Sequence, residues 1–364
     1  MPEPTLIEAF ENRAIQMADR EPVHAHLCRA VLADPSLAAA VADHGRWGRP
    51  NLLFTAVNYL LATTVPDHPL AGHYRAGEPT DDLVDAFRDL VVGHAAEVAA
   101  LCAGRKARAN DPQVAALLRP GLGWAAEAAG DRPLALVELG AAAGLTMFAD
   151  HYGYRYTLEP QHPARPGGDT VLPGAPELSC AARSRAPGHL DTPLRIAERI
   201  GLDLDPIRAD DPDAVAWLLA GIGPDLRAAR LRVDAGLALA AELKPELRAG
   251  DFLDTLPGAL ADIAPGHLPV VYGANTLCCL PDPGRLVTIL AGAGREVVWL
   301  TKEMPRHGLA LVSDEDPYPD ADGLVTAVVF RDGRAVEATV LAEVDGWGTW
   351  IEWKPTPVRV RPAA

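Results

Sequence analysis

The segment 134–145, LALVELGAAAGL, constrains the fold of this chain more than any other stretch of it. An apolar run suited to a buried strand ends at Glu138, a loop of glycine and alanine follows, and a helix-compatible stretch begins at Leu145. Small residues let backbone N–H groups approach a ligand closely at the edge of a parallel sheet. The segment therefore predicts a strand, a ligand-holding loop and a helix, with Glu138 facing whatever the loop holds.

Composition narrows the class of protein and the range of partners. The chain has 364 residues, 49% of them hydrophobic and 23% charged, which fits a globular protein with a large core. A net charge of -16 argues against nucleic acid as a partner. The first residues carry charge and do not read as a secretion signal, and no stretch reads as a transmembrane helix.

The cysteine pattern favours a cytoplasmic protein without a structural zinc site. The chain contains 5 cysteines at scattered positions, an odd set that suits a reducing cytoplasm better than a disulfide framework. No C-x-x-C pair occurs, so we expect no structural metal site. We therefore expect a cytoplasmic protein without metal that does not contact membranes.

The pattern of apolar residues divides the chain in two. Residues 1–118 show helical spacing and predict a helical N-terminal cap region, with Thr80 as one N-cap and a buried helix over 51–61. Residues 119–364 predict a doubly wound, mostly parallel α/β sheet with a largely helical insertion at about 160–243. The end of the chain predicts an antiparallel hairpin that turns at Asp332-Gly333.

Polar residues recur where predicted strands end. Glu138 and Glu159 lie 159 − 138 = 21 positions apart, which leaves room for one helix and a return to the neighbouring strand. A carboxylate at Glu159 would accept hydrogen bonds from both ribose hydroxyls of an adenosine, Asp251 would accept from the adenine amino group, and Phe252 would lie against the adenine face. Asn275 would lie beneath the reacting group. In an open α/β sheet, ligands occupy the crevice at these strand ends.

This order of features resembles the class I S-adenosylmethionine-dependent methyltransferase fold. There, an acid precedes a Gly-x-Gly-x-Gly loop, a second acid ends strand two and an Asp follows strand three. The resemblance implies a Rossmann-like fold, S-adenosylmethionine as cofactor, and cofactor contacts from the loop at Gly140, Ala142 and Gly144. The chain departs from the pattern at Ala142, which would cost about 1 kcal/mol or more if that position required a positive φ.

A second resemblance covers most of the chain. It is similar to a bacterial family of unassigned function, domain-of-unknown-function family 2332, which is grouped with methyltransferase-like Rossmann proteins. The residues that carry it are Asn110-Asp111, Leu118 to Tyr156, Glu198 to Pro206, Trp299 and Glu303, with departures at Ala109 and Asp345. This resemblance implies the fold and gives little about the reaction.

Several alternatives stay open at this level. The ribose-binding acid could be Asp203 or Asp191 rather than Glu159, if the second strand lies later in the chain. Asp251 could cap a helix, and the amide of Asn275 could serve only its own loop. NAD is a competing cofactor, but the loop lacks the closing glycine of the dinucleotide fingerprint.

The reaction is the least constrained prediction. Methyl transfer needs orientation more than a strong catalyst. Asn110, Asp111, Tyr272 and Glu303 are the candidate catalytic residues, although Lys302-Glu303 could equally be a surface ion pair. We expect a methyltransferase that acts on a small molecule. One alternative is a cyclase or lyase that releases methylthioadenosine, and another is a non-catalytic scaffold. The oligomeric state stays open, a homodimer included.

Overall fold

The computed structural model describes residues 5–42, 48–158 and 167–362. Its contacts divide the chain into two compact units. One unit comprises Met1–Ala109 with Ala209–Val233, and the other comprises Asn110–Arg208 with Asp234–Ala364. Within the described ranges, no helix combines the length and the apolar character that crossing a bilayer requires.

All the described strands lie in the second unit, which also contains helices. The α-helices are α1 (Leu6–Gln16), α2 (Pro22–Ala33), α3 (Arg49–Thr63), α4 (Pro69–Ala76), α5 (Asp81–Gly93), α6 (Ala95–Gly104), α7 (Ala115–Ala129), α8 (Pro212–Ala220), α9 (Arg227–Leu243), α10 (Phe252–Asp262) and α11 (Gly284–Ala291). The strands are β1 (Leu134–Leu139), β2 (Gly153–Leu158), β3 (Gly168–Leu172), β4 (Glu177–Ala182), β5 (Ile196–Asp203), β6 (Glu246–Ala249), β7 (Leu268–Ala274), β8 (Val297–Glu303), β9 (Gly323–Arg331), β10 (Arg334–Val344) and β11 (Trp350–Val358).

The first unit is helical in its described part, as the apolar spacing predicts. The side chain of Thr80 accepts a hydrogen bond from the backbone N–H of Leu83 and so caps α5. Helix α3 contains the predicted buried segment. The core of this unit is aromatic at its centre, where Phe10, Phe54 and Phe87 are almost fully buried.

The second unit is built on one sheet of eleven strands in the order β3-β2-β4-β11-β10-β9-β8-β7-β1-β5-β6. The strands β6, β5, β1, β7 and β8 are all parallel to one another. Strand β9 then runs antiparallel to β8, and β10 antiparallel to β9. The protein is therefore a mixed α/β structure whose sheet is mostly parallel, with a helical N-terminal region.

The order of connections creates a switch point at the centre of the parallel part. From β1 the chain builds β5 and then β6 on one side, and it returns to build β7 and then β8 on the other. Apolar residues of β1, β7 and β8 pack against α10 and α11 through residues such as Leu256 and Leu290. Helix α7 covers the opposite face, where Gly121 lies directly against Leu300. Ligands of open α/β sheets bind at such a switch point, beyond the carboxyl ends of the strands.

Two predictions about the middle of the chain are wrong, the first only in part. The insertion at about 160–243 contains α8 and α9, as expected, but it is helical only in part, because it also contributes β3, β4 and β5 to the sheet. The strand that precedes Glu159 is not the neighbour of β1, since β2 is separated from β1 by β4, β11, β10, β9, β8 and β7. The two neighbours of β1 are β7 on that side and β5 on the other, and β5 ends at Asp203.

The C-terminal hairpin is confirmed. Strands β9 and β10 pair through Arg331 and Arg334, and the two residues between them, Asp332 and Gly333, have φ of 52° and 79°. Positive φ at both central residues is the geometry of the tight hairpin turn that Asp-Gly favours. The hairpin continues into β11, so the antiparallel part contains one strand more than a simple pair.

Candidate active site at the sheet's carboxyl edge

The loop that follows β1 turns sharply and closes on itself. Gly140 and Gly144 both have φ of 68°, and the backbone N–H of Gly144 donates to the carbonyl of Ala141 at 2.6 Å. Ala142 has φ of 49°, so this position does require the left-handed region. An L-residue other than glycine pays about 1–2 kcal/mol there, and the loop holds Ala142 in place despite that cost.

Asp203 supplies the restraint. Its carboxylate ends β5 beside the loop, and the residue is only 4% exposed. One carboxylate oxygen accepts from the backbone N–H of Ala142 at 2.9 Å, and the other accepts from that of Asp205 at 2.9 Å. Asp203 therefore ties the strained loop to the neighbouring strand.

Glu138 lies at the end of β1 in a buried polar cluster. Its Oε1 accepts from the hydroxyl of Thr146 at 2.6 Å, and its Oε2 accepts from the hydroxyl of Tyr272, its partner on β7, at 3.3 Å. Burial raises the pKa of Glu138 to about 8, against the lowering effect of these two hydrogen bonds, and the charge of Asp203 raises it further. Glu138 is therefore largely protonated at neutral pH. Burial likewise raises the pKa of Tyr272 well above its ordinary value.

Asn275, directly after β7, is held at three points. Its backbone N–H donates to the carbonyl of Lys302 at 2.9 Å, and its own carbonyl accepts from the thiol of Cys278 at 3.4 Å. Its side-chain oxygen accepts from the Lys302 ammonium at 2.9 Å. The residue is exposed and has a left-handed φ of 56°. The predicted position of Asn275 at a strand end is confirmed, and its amide oxygen is committed to Lys302.

The neighbouring pair Lys302-Glu303 is not on the surface. Lys302 is 1% exposed and Glu303 is 2% exposed. Glu303 Oε1 accepts from the backbone N–H groups of Thr276 at 2.5 Å and Leu277 at 2.9 Å. Burial lowers the pKa of Lys302 and raises that of Glu303. The alternative of a surface ion pair is therefore wrong, and Glu303 anchors the turn that carries Asn275.

The remaining candidates have structural contacts of their own. Asn110 Oδ1 accepts from the backbone N–H of Leu145 at 3.2 Å and so supports the end of the loop. Asp111 accepts from the backbone N–H of Gln113 at 2.9 Å and caps a short 3-10 helix. Their catalytic role, like that of Tyr272 and Glu303, stays a prediction.

Asp251 and Phe252 follow β6, the strand beside β5, which is where an Asp after a third strand is expected. Asp251 caps α10 by accepting from the backbone N–H of Leu253 at 2.8 Å, and Phe252 packs into the core at 7% exposure. Glu159 lies outside the described residues. Glu138 contacts Thr146 and Tyr272, and the expected enclosure by Glu138, Glu159 and Asp251 stays a prediction.

The structure groups Glu138, Asp203 and the Asn275–Lys302 pair at adjacent strand ends. Asp203 was one of three alternatives for the second acid, whereas Thr146 and Lys302 were not predicted as site residues at all. Thr146 follows the glycine loop on the first turn beyond it, which is a sequence signal for a contact to Glu138. Among the described side chains, no group of three or more His, Cys, Asp or Glu residues is arranged to hold a metal.

These features define a class: an α/β protein with a topological switch point, and a candidate site, at the carboxyl edge of five parallel strands. A family model described as "Uncharacterized protein conserved in bacteria (DUF2332)" matches residues 7–353. The chain therefore belongs to this bacterial family, which confirms the resemblance seen in its sequence.

Comparison with other proteins adds little beyond the family. One similar solved structure is that of the CcbJ methyltransferase from Streptomyces caelestis, which is 16% identical over 72% of this chain and 80% of that chain. The TM-score of 0.20 marks a distant likeness that carries no argument about residues or ligands. No curated protein matches the chain.

Proposed function

We propose that this protein binds S-adenosylmethionine at the carboxyl edge of β6, β5, β1 and β7 and transfers its methyl group to a small molecule. The observation that carries the proposal is the position of the Gly140–Gly144 loop. It follows the central strand at the switch point, and Asp203 ends the adjacent strand beside it. This is the place where open α/β sheets bind nucleosides.

Asp203 is the acid we assign to the ribose. Topology favours it over Glu159, because β5 and not β2 lies beside β1. Its oxygens accept from the backbone N–H groups of Ala142 and Asp205, which places a carboxylate, an acceptor for ribose hydroxyls, beside the loop. The same contacts mean that Asp203 both shapes the loop and binds the ligand, so a change at this residue affects both.

The buried acid Glu138 supports a cationic ligand at this edge of the sheet. An acid kept neutral by burial becomes ionised when a cation comes close, because the opposite charge stabilises the carboxylate. S-adenosylmethionine carries a sulfonium and an ammonium, so its binding at pH 7 is expected to release a proton from Glu138. Calorimetric titration in two buffers that differ in ionisation enthalpy measures this release. Equal heats in both buffers would show that binding releases no proton, and Glu138 would then have no role in binding the cation.

The main test compares two buried aspartates that make the same kind of contact. Asp203→Asn removes the charge beside the loop. Asp345→Asn is the control, because it removes the charge of another buried aspartate. Asp345 is 7% exposed and accepts from the backbone N–H groups of Gly348 and Thr349 at 2.9 Å. We expect Asp203→Asn to weaken S-adenosylmethionine binding about 10-fold or more, the equivalent of one charge-assisted hydrogen bond, and Asp345→Asn to leave it unchanged.

Absence of any binding heat with the unmodified protein would overturn the proposal. Products distinguish methyl transfer from the alternative reaction. Methylthioadenosine formed without an added acceptor would indicate a cyclase or lyase, and S-adenosylhomocysteine formed only in the presence of small-molecule extracts would support methyl transfer.

A further inference from the structure

We propose that Lys302 is a positioning residue that fixes the amide of Asn275 with its N–H donors outward, and that this amide binds a carboxylate of the small-molecule substrate. Naming the ligand as the substrate rests on the proposed function. The existence of an anion site at Asn275 does not, because it follows from the geometry of two side chains.

The orientation of the amide follows from the chemistry of its partner. An ammonium has three N–H donors and no acceptor, so the atom of Asn275 that faces Lys302 at 2.9 Å must be the oxygen. The amide nitrogen then lies on the other side with two N–H donors. The backbone of Asn275 is also held, because its N–H donates to the carbonyl of Lys302 and its carbonyl accepts from the Cys278 thiol. The side-chain amide nitrogen therefore has a fixed orientation on an exposed residue.

Charge favours an anion at this place. Lys302 is buried, and among the described residues no carboxylate lies within 4 Å of its ammonium. Its sequence neighbour Glu303 points to the opposite face of β8, and Glu303 Oε1 is bound to the backbone of Thr276 and Leu277. Burial lowers the pKa of Lys302, and the charges of Glu303, Asp345, Asp322 and Cys278 oppose that lowering only in part. A buried cation without a close counter-charge is costly, and an anion nearby offsets that cost.

The arrangement also disfavours one class of ligand. A protonated amine bound at the Asn275 side-chain oxygen would lie beside the Lys302 ammonium that already donates to it, and the two like charges repel each other. A carboxylate needs donors, which is what the amide nitrogen offers. The site therefore distinguishes an acid from an amine of similar size.

Formate is the smallest carboxylate and serves as the probe of this site. NMR detects its binding through the side-chain amide signals of Asn275. The side-chain amide signals of Asn275 in ¹⁵N-labelled protein are identified by their loss in Asn275→Asp. Sodium formate is expected to shift them in a saturable manner, whereas sodium chloride at equal ionic strength and methylammonium chloride are not. No adenosyl compound is present, so the result is independent of cofactor binding.

Two lysine variants separate positioning from general structure. Lys302→Met replaces a buried cation by an apolar side chain of similar length, a change that proteins often tolerate, and it is expected to weaken formate binding at least 10-fold. Lys354→Met removes a lysine on β11 that pairs with Glu343 at 2.7 Å, and it should leave formate binding unchanged. Lys302→Arg keeps the donor and should restore part of the affinity.

Formate and chloride shifts of equal size, or equal formate affinity in Lys302→Met, would overturn the inference. Formate binding without any binding of S-adenosylmethionine would leave the anion site standing and remove the proposed function. Binding of S-adenosylmethionine without binding of formate would remove the anion site and leave the proposed function standing.

Discussion

Replacing Glu138 by glutamine should change how the stability of the protein depends on pH. Between the ordinary pKa of 4.5 and the folded value of about 8, the folded protein holds a proton on Glu138 that the unfolded chain has lost. The free energy of unfolding therefore falls as pH rises through this window, by about 1.4 kcal/mol for each pH unit. Glutamine keeps the shape of the side chain and does not titrate, so it removes this slope.

From pH 5 to pH 7 the wild-type protein should lose about 2–3 kcal/mol of stability relative to Glu138→Gln. Urea denaturation followed by far-UV circular dichroism at pH 5, 6 and 7 measures the free energy of unfolding of each protein. Because all other titrating groups are the same in both proteins, their effects cancel in the difference between the two free energies. Glu337→Gln carries the same chemical change at an exposed position and serves as the control. A difference between wild type and Glu138→Gln that stays constant over these two pH units would refute the argument from burial.

Four further substitutions test the hydrogen bonding, backbone conformation and packing of the second unit. Thr146→Val removes the hydroxyl that donates to Glu138 at 2.6 Å, so the pKa of Glu138 should rise and the pH window of the stability loss should extend upward in the same denaturation series. Ala142→Val places a β-branched residue at φ of 49° and should lower the free energy of unfolding by about 2 kcal/mol or more, measured in urea. Gly123→Ala puts a methyl group 2.1 Å from the carbonyl oxygen of His189 and should cost about 1–3 kcal/mol, whereas Gly258→Ala, in a helix with open space around it, should raise stability by up to about 1 kcal/mol.

The parts of the fold that the sequence predicts well have strong local signals. Strand β1 is apolar throughout and ends in Glu138-Leu139-Gly140, and the hairpin turn at Asp332-Gly333 has one favoured geometry. The helices of the first unit repeat apolar residues at helical spacing. In each case the signal lies within a dozen or so neighbouring residues, the range over which such patterns operate.

Strand β5 was missed because it lacks such a signal. Its sequence, IAERIGLD, mixes charged residues with glycine, and only its second half is fully buried. The glycine at 201 is needed for a contact distant in sequence, since a Cβ there would lie 2.8 Å from that of Ala141. That reason appears only when β1 and β5 are paired, so local periodicity could not reveal it.

The candidate site was predicted in outline and corrected in detail. Strand ends identified Glu138 and Asn275, because both follow recognisable strands. Asp203 could not be chosen over Glu159 without the strand order. The buried position of Lys302 could not be read from Thr-Lys-Glu-Met, since a charged pair is usually solvated and only the covering of the strand on both faces buries it here.

The pairing of β11 with β4 determines when this sheet can be completed during synthesis. Trp350 pairs with Ala181 and Ile351 with Ala182, so in the described sheet the strands β4, β2 and β3 join the other strands through residues that lie 350 − 181 = 169 positions later in the chain. A ribosome must therefore translate past residue 351 before these strands gain their partner. Until then the edge of β4 that later pairs with β11 has unpaired backbone N–H and C=O groups, which can pair with other chains and cause aggregation. A chain truncated before residue 350 would keep this unpaired edge.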